Sequence, residues 1–136
     1  MSFEFDPNRP IYLQIVAEVK KRAVRGQYRP GDQLPSVREM ARVMSVNPNT
    51  MARAYMELER DGFTYSRRGQ GSFITDNQRR LDQERQILAE AARRQFIDEI
   101  RALELDGDQV AELLRPIAEE LSGLSARWRS GPTGEC

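Results

Sequence analysis

Between Leu34 and Ile74 the chain carries start and stop signals so closely spaced that few folds remain open to it. Ser36-Val37-Arg38-Glu39 has the spacing of a capping box, in which the Ser36 hydroxyl and the Glu39 carboxylate each satisfy a free amide at a helix start. Val37, Met40, Ala41 and Met44 form the buried face of this short helix and leave Arg38 and Arg42 outside. Only Ser45 and Val46 precede a second start, Asn47-Pro48, where asparagine caps and proline suits the first helical position. Met51, Ala54, Tyr55 and Leu58 then recur at three- and four-residue spacing, one apolar stripe for a core. Gly62 closes the helix where a left-handed residue is wanted. Two helices joined by so short a turn predict a helix-turn-helix.

Phe63 to Arg67 and Ser72 to Thr75 read as strands joined by Arg68-Gly69-Gln70-Gly71, whose two glycines supply the positive φ angles of a tight hairpin. Gln33-Leu34 predicts a third, very short strand beside them, ended by Pro35. The chain is therefore expected to be mostly α with a small β-hairpin wing: a winged helix-turn-helix domain followed by a two-helix region. Asn49, Thr50 and Arg53 face outward on the first turns of the second helix, as residues entering a major groove do. Local capping is the competing role for Asn49 and Thr50, but Asn47 already fills the cap. At the hairpin tip Arg67, Arg68 and Gln70 surround Gly69. Arginines there suit a narrow minor groove, against the plainer reading of a charged tip that keeps a strand edge soluble.

Taken together, Gly31-Asp32-Gln33-Leu34-Pro35-Ser36-Val37-Arg38-Glu39-Met40-Ala41, Val46-Asn47-Pro48-Asn49-Thr50, Tyr55-Met56-Glu57-Leu58-Glu59-Arg60-Asp61-Gly62 and the wing Arg67-Arg68-Gly69-Gln70-Gly71-Ser72-Phe73 resemble the DNA-binding domain of the GntR family of bacterial transcription regulators. The resemblance covers about residues 9 to 76, and the combined motif is far more specific than any piece of it. The short remainder is similar to the YtrA-like subfamily, whose C-terminal part is a pair of dimerising helices. The resemblance implies that Arg38 reaches DNA, often a base edge, and that Thr50 meets a phosphate or base. It also implies that Gly69 lies in or beside the minor groove. Ser36, at the head of the first helix, joins this DNA-facing set; Asn49 departs from the residues many relatives carry there. A surface ion pair of Arg38 with Glu39 or Asp61 is the alternative, worth at most ~1 kcal/mol.

Net charge is zero, with 21 basic and 21 acidic residues, which alone argues against a nucleic-acid binder. Its distribution is more informative: residues 1–78 carry 12 Lys/Arg against 9 Asp/Glu, while residues 79–136 carry 9 against 12. A basic front and an acidic back suit a protein that touches DNA with one end. Nineteen of the basic residues are arginine, whose fork matches guanine edges and phosphates, although a genome-wide bias toward arginine would give the same count. With no histidine and one cysteine, Cys136, the usual nucleophile pairs, zinc sites and internal disulfides lack their residues, so neither an enzyme nor a cofactor is expected. No apolar run approaches ~18 residues and no leader pattern opens the chain, so a cytoplasmic protein without membrane contact is expected.

At the N-terminus Phe3 and Phe5 alternate with polar residues as a short arm packed on the domain. Pro10 opens a helix that Gly26 ends, with Ile11, Ile15, Val16, Val19 and Ala23 buried and Lys20, Lys21, Arg22 and Arg25 toward solvent. Residues 1–76 thus form the DNA-binding domain and 77–136 a dimerisation region, with 76–80 a polar linker and the last seven residues disordered. Leu88, Ala92, Phe96, Ile100 and Leu103 stripe one long helix. Asp106 and Gln109 are spaced to cap the next, which continues through Val110, Leu113, Leu114, Ile117, Leu121 and Leu124, with a kink or break expected at Pro116. Two such stripes cannot bury each other alone, and the economical partner is a second copy, giving a homodimer on an inverted-repeat double-stranded operator.

The resemblance implies a repressor, of a transport operon in many short relatives. A winged protein-interaction module, or an architectural DNA binder without operator specificity, is the alternative. About sixty residues leave little room for a pocket of ~300–1,000 Å³, so no large effector domain is expected. A small-molecule effector at the dimer seam or between the domains stays open.

Overall fold

The computed structural model describes residues 3–129, with side chains through residue 123, and divides between Ala91 and Ala92 into two compact units. The first holds α1 (Ile11–Val24), α2 (Val37–Met44), α3 (Pro48–Arg60), β1 (Thr64–Arg67), β2 (Gly71–Ile74) and the start of α4 (Gln78–Ala102). The rest of α4 and α5 (Gly107–Arg129) make the second.

The helix starts are local chemistry. Ser36 Oγ accepts from the Glu39 amide at 3.2 Å and Glu39 Oε1 from the Ser36 amide at 3.4 Å, closing the capping box of α2. Asn47 Oδ1 accepts from the Asn49 amide at 2.7 Å, and Pro48 is the first residue of α3. In α1, by contrast, Pro10 stands just before the helix and makes no side-chain cap.

α3 is the centre of the packing. Met51, Ala54, Tyr55 and Leu58 are buried along one face, against α1, α2 and β1. Ile15, Val19 and Ala23 enter the same core from α1, Met40, Ala41 and Met44 from α2, and Phe63, Ile74 and Leu81 from the segments that follow. The hairpin pairs antiparallel in the register Thr64↔Ile74 to Arg67↔Gly71. Gln33 forms a bridge to Phe73, and the Leu34 amide donates to the Ser72 carbonyl at 2.9 Å, so the short third strand is present as a single ladder step. Phe5 packs on the core with Phe3 edge-on at 4.8 Å. The buried Gln14 side chain ties this arm down, accepting from the Asp6 amide and donating to the Asp6 and Arg9 carbonyls.

Two sequence expectations fail here. The polar stretch 76–80 is no free linker: Asn77 Oδ1 caps the Arg79 amide at 3.0 Å and α4 begins at Gln78. Nor do Lys20 and Arg22 point into solvent. Lys20 Nζ lies 2.6 Å from Asp61 and 3.5 Å from Glu84, while Arg80 reaches the same two carboxylates at 2.7 and 2.9 Å. Both cations also lie over the ring of Phe63, at 5.9 and 5.4 Å. Arg22 pairs with Glu18 at 2.9 Å. Helical periodicity cannot foresee the partners of Lys20, which come from α3's end and from α4. The Arg22–Glu18 pair, by contrast, is one turn apart on α1 and was open to a local reading.

In the second unit Asp106 and Gln109 form the expected reciprocal cap, at 2.9 and 2.8 Å. Of the kink or break expected at Pro116, the break does not occur: α5 runs through it as one helix. Phe96, Ile100, Val110 and Ile117 are half-buried, whereas Ala92, Leu103, Leu113, Leu114 and Leu121 are exposed. Leu88, within the first unit, is also half-buried. The side chain of Leu124, and the segment 130–136 expected to be disordered, lie outside the described residues. No described helix is long and apolar enough to cross a membrane.

Glu84 is the buried anion shared by Lys20 and Arg80. Glu84→Ala leaves both cations only the more exposed Asp61 and should lower stability by about 1–3 kcal/mol in urea denaturation. Burial raises the Asp61 carboxyl, but hydrogen bonds and charge from Lys20 and Arg80 outweigh it and hold the pKa below the ordinary 3.8. The unfolded chain therefore binds more protons near pH 4, and this stabilisation is lost as pH falls through the folded value. Asp61→Asn should flatten the acid limb of a thermal-melting series between about pH 5 and 2 while removing the same contribution at neutral pH.

Candidate nucleic-acid interface

With one face of α3 sealed in the core, its opposite face is set. Asn49 and Arg53 are exposed and Thr50 is half-buried. The Arg53 guanidinium lies 3.9 Å from the ring centre of Tyr12, on α1. Pro10, Ile11 and Tyr12 face Asn49, Thr50 and Arg53 across an open groove of about 640 Å³.

Arg38 projects from the first turn of α2 and is exposed, with no ion pair among the described residues. Neither anion weighed as its partner is in place: Glu39 caps the Ser36 amide, and Asp61 is held by Lys20 and Arg80. Ser36 is exposed, its hydroxyl committed to the cap. The start of α2 is anchored through Tyr55, whose hydroxyl donates to the Pro35 carbonyl at 2.6 Å. Burial, then the nearby Tyr28 and Glu39, push this phenol above its ordinary range, so it stays a donor at any physiological pH.

On the wing, Tyr65 and Phe73 stack across the two strands at 5.6 Å, and Arg67 lies over both rings at 5.6 and 5.3 Å. Arg68, Gly69 and Gln70 form the exposed three-residue tip, closed by the Gln70 amide donating to the Arg67 carbonyl at 2.9 Å. Gln33 Nε2 donates to the Gln70 carbonyl at 2.5 Å, tying the tip to the short third strand. Gly69 has φ +76° and Gly71 φ +115°, both in the region that favours glycine.

The structure thus gathers the expected residues into three exposed projections: the first turn of α2, the first turns of α3 and the tip of the wing. Sequence reasoning missed their supports, Tyr12, Tyr65 and Phe73. For the wing a signal existed, since correct register puts Tyr65 opposite Phe73. For Tyr12 there was none, because its partner lies on another helix. Among the described residues no cluster of His, Cys, Asp and Glu is arranged to hold a metal ion.

Comparison with known proteins matches residues 11–74 to the family described as bacterial regulatory proteins, gntR family. Two Bacillus subtilis proteins align over almost their whole length. One is the uncharacterized HTH-type transcriptional regulator YhcF, 40% identical over 88% of this chain and 98% of its own. The other is the HTH-type transcriptional repressor YtrA, 34% identical over 94% and 95%. Among solved structures, a GntR family transcriptional regulator from Listeria monocytogenes superposes with a TM-score of 0.74 at 38% identity, covering 82% of this chain and 98% of that one.

At the wing, a Cβ on Gly69 meets nothing within 4 Å, so Gly69→Ala carries conformational strain alone, about 1 kcal/mol. A Cβ on Gly71 adds a 3.2 Å contact with Gln33 Nε2, and Gly71→Ala should lower the urea midpoint further than Gly69→Ala does.

Proposed function

The chain belongs to the GntR family of bacterial regulatory proteins and is a DNA-binding transcription regulator rather than an enzyme; from that premise we propose that it works as a homodimeric repressor on an inverted-repeat operator. The observation that carries the reading is that the face of α3 opposite the core, the first turn of α2 and the wing tip all end in exposed polar side chains. Arg38 and Arg68 have no anionic partner among the described residues. An arginine left without a carboxylate is free for a phosphate or a guanine edge. In this reading residues 1–76 bind DNA, with Arg38 and Arg53 reading bases, Ser36, Asn49 and Thr50 lying along the groove, and Arg67, Arg68, Gly69 and Gln70 at the minor groove.

Residues 77–136 supply the dimer. Leu103, Leu113, Leu114 and Leu121 are between 37% and 63% exposed, an apolar surface that a second copy would cover under two-fold symmetry. Repression is supported by the likeness to YtrA, named as a repressor, and action in the cytoplasm follows from a chromosomal target. Control of a transport operon, or by a small-molecule effector, rests on the resemblance of the short form alone. A protein-docking wing would present apolar anchors instead of arginines.

Fluorescence anisotropy on the protein's own promoter at two salt concentrations tests the reading. The expected result is steep salt dependence plus a surplus affinity for one site. Arg38→Ala should remove about 1–3 kcal/mol of that surplus and leave random-duplex binding nearly as it was. Light scattering at micromolar concentration should give the dimer mass. A monomer there, or equal affinity for every duplex, overturns the proposal.

A further inference from the structure

The stack of Arg53 on Tyr12 does something that neither residue does alone. An exposed arginine samples many rotamers, and ordering it on a ligand opposes binding. With its centre 3.9 Å from the guanidinium carbon, the ring holds that cation against its π face. Stacking uses none of the N–H donors, which lie in the guanidinium plane and stay available for a bidentate contact with guanine O6 and N7. The ring itself is a firm support: Tyr12 is half-buried on α1 and packed against the core. Asn49 and Thr50 line the same groove, so the held guanidinium stands beside the first turn of α3.

We propose that Tyr12, outside the helix-turn-helix, is a positioning residue for sequence readout: its ring presents Arg53 as a preformed reader of a guanine edge. This rests on the operator-binding reading above and adds to it a residue on α1 that sets base discrimination. The phenol oxygen takes no part, so phenylalanine serves in its place, whereas an aliphatic side chain of similar bulk fills the space without holding the cation.

The full-length protein is used to select a preferred duplex from a random pool, and anisotropy then measures discrimination between that duplex and single-base variants. Arg53→Ala identifies its guanine as the position where discrimination falls, by about 10- to 100-fold. Tyr12→Phe should stay within about twofold of wild type, and Tyr12→Leu should lose about 5- to 10-fold at that same position. Tyr12→Leu should leave other positions, random-duplex affinity and the salt slope unchanged, and adding it to Arg53→Ala should cause no further loss. A merely structural tyrosine would weaken every position, and would do so equally in the Arg53→Ala background; that result overturns the proposal. So does unchanged discrimination in Tyr12→Leu, or in Arg53→Ala while Arg38→Ala still loses it, and both leave the operator reading standing. A wild-type protein with no preferred duplex overturns the operator reading and this inference together.

Discussion

The structure depends on keeping one face of α3 out of water. Met51, Ala54 and Leu58 are fully buried there and Tyr55 nearly so, against α1, α2 and β1. Burial of a side chain the size of Met51 or Leu58 contributes roughly 1.5–3 kcal/mol, and the methyl of Ala54 less than about 1 kcal/mol. Rotating α3 by even one residue would put polar side chains into that contact and apolar ones into solvent. The orientation of Asn49, Thr50 and Arg53 is therefore a consequence of the core. The core also sets α2, because the Tyr55 hydroxyl holds the Pro35 carbonyl just ahead of Ser36, and so sets where Arg38 emerges.

A second constraint follows from Phe63, which is fully buried and yet has Lys20 and Arg80 over its ring. Cations brought so close to an apolar ring need nearby anions, and Asp61 and Glu84 supply them. The four charges come from α1, the end of α3 and the first turns of α4. The winged unit thus extends past its wing, with Leu81 and Glu84 as buried parts of it. The basic residues at the end of α1 that resemble a phosphate-facing patch are divided by their pairs: Lys20 joins this arrangement, Arg22 and the more exposed Arg25 reach Glu18, and Lys21 stays exposed.

The second unit shows the opposite balance. Its helices are capped and continuous, yet none of its described side chains is fully buried. Helices gain most of their stability from packing an apolar face rather than from propensity. Here the reciprocal cap at Asp106 is intact while Leu103, Leu113, Leu114 and Leu121 stay uncovered.

Most of what rests on neighbours two to four residues apart was settled by the amino-acid sequence alone, the Arg22–Glu18 pair on α1 being the exception. The box at Ser36 and Glu39, the cap at Asn47, the reciprocal pair at Asp106 and Gln109 and the stripe of α3 are of this kind, and with them the winged architecture and its exposed face. The wing's strands and their bridge to Gln33 were legible because glycine and proline mark their ends. Lys20 was misread, and the stack beneath Arg53 was invisible, because charge and ring contacts form between elements distant along the chain. Only tertiary packing brings Tyr12 to Arg53, or Lys20 to Glu84, since no local period encodes which surfaces of two helices will meet.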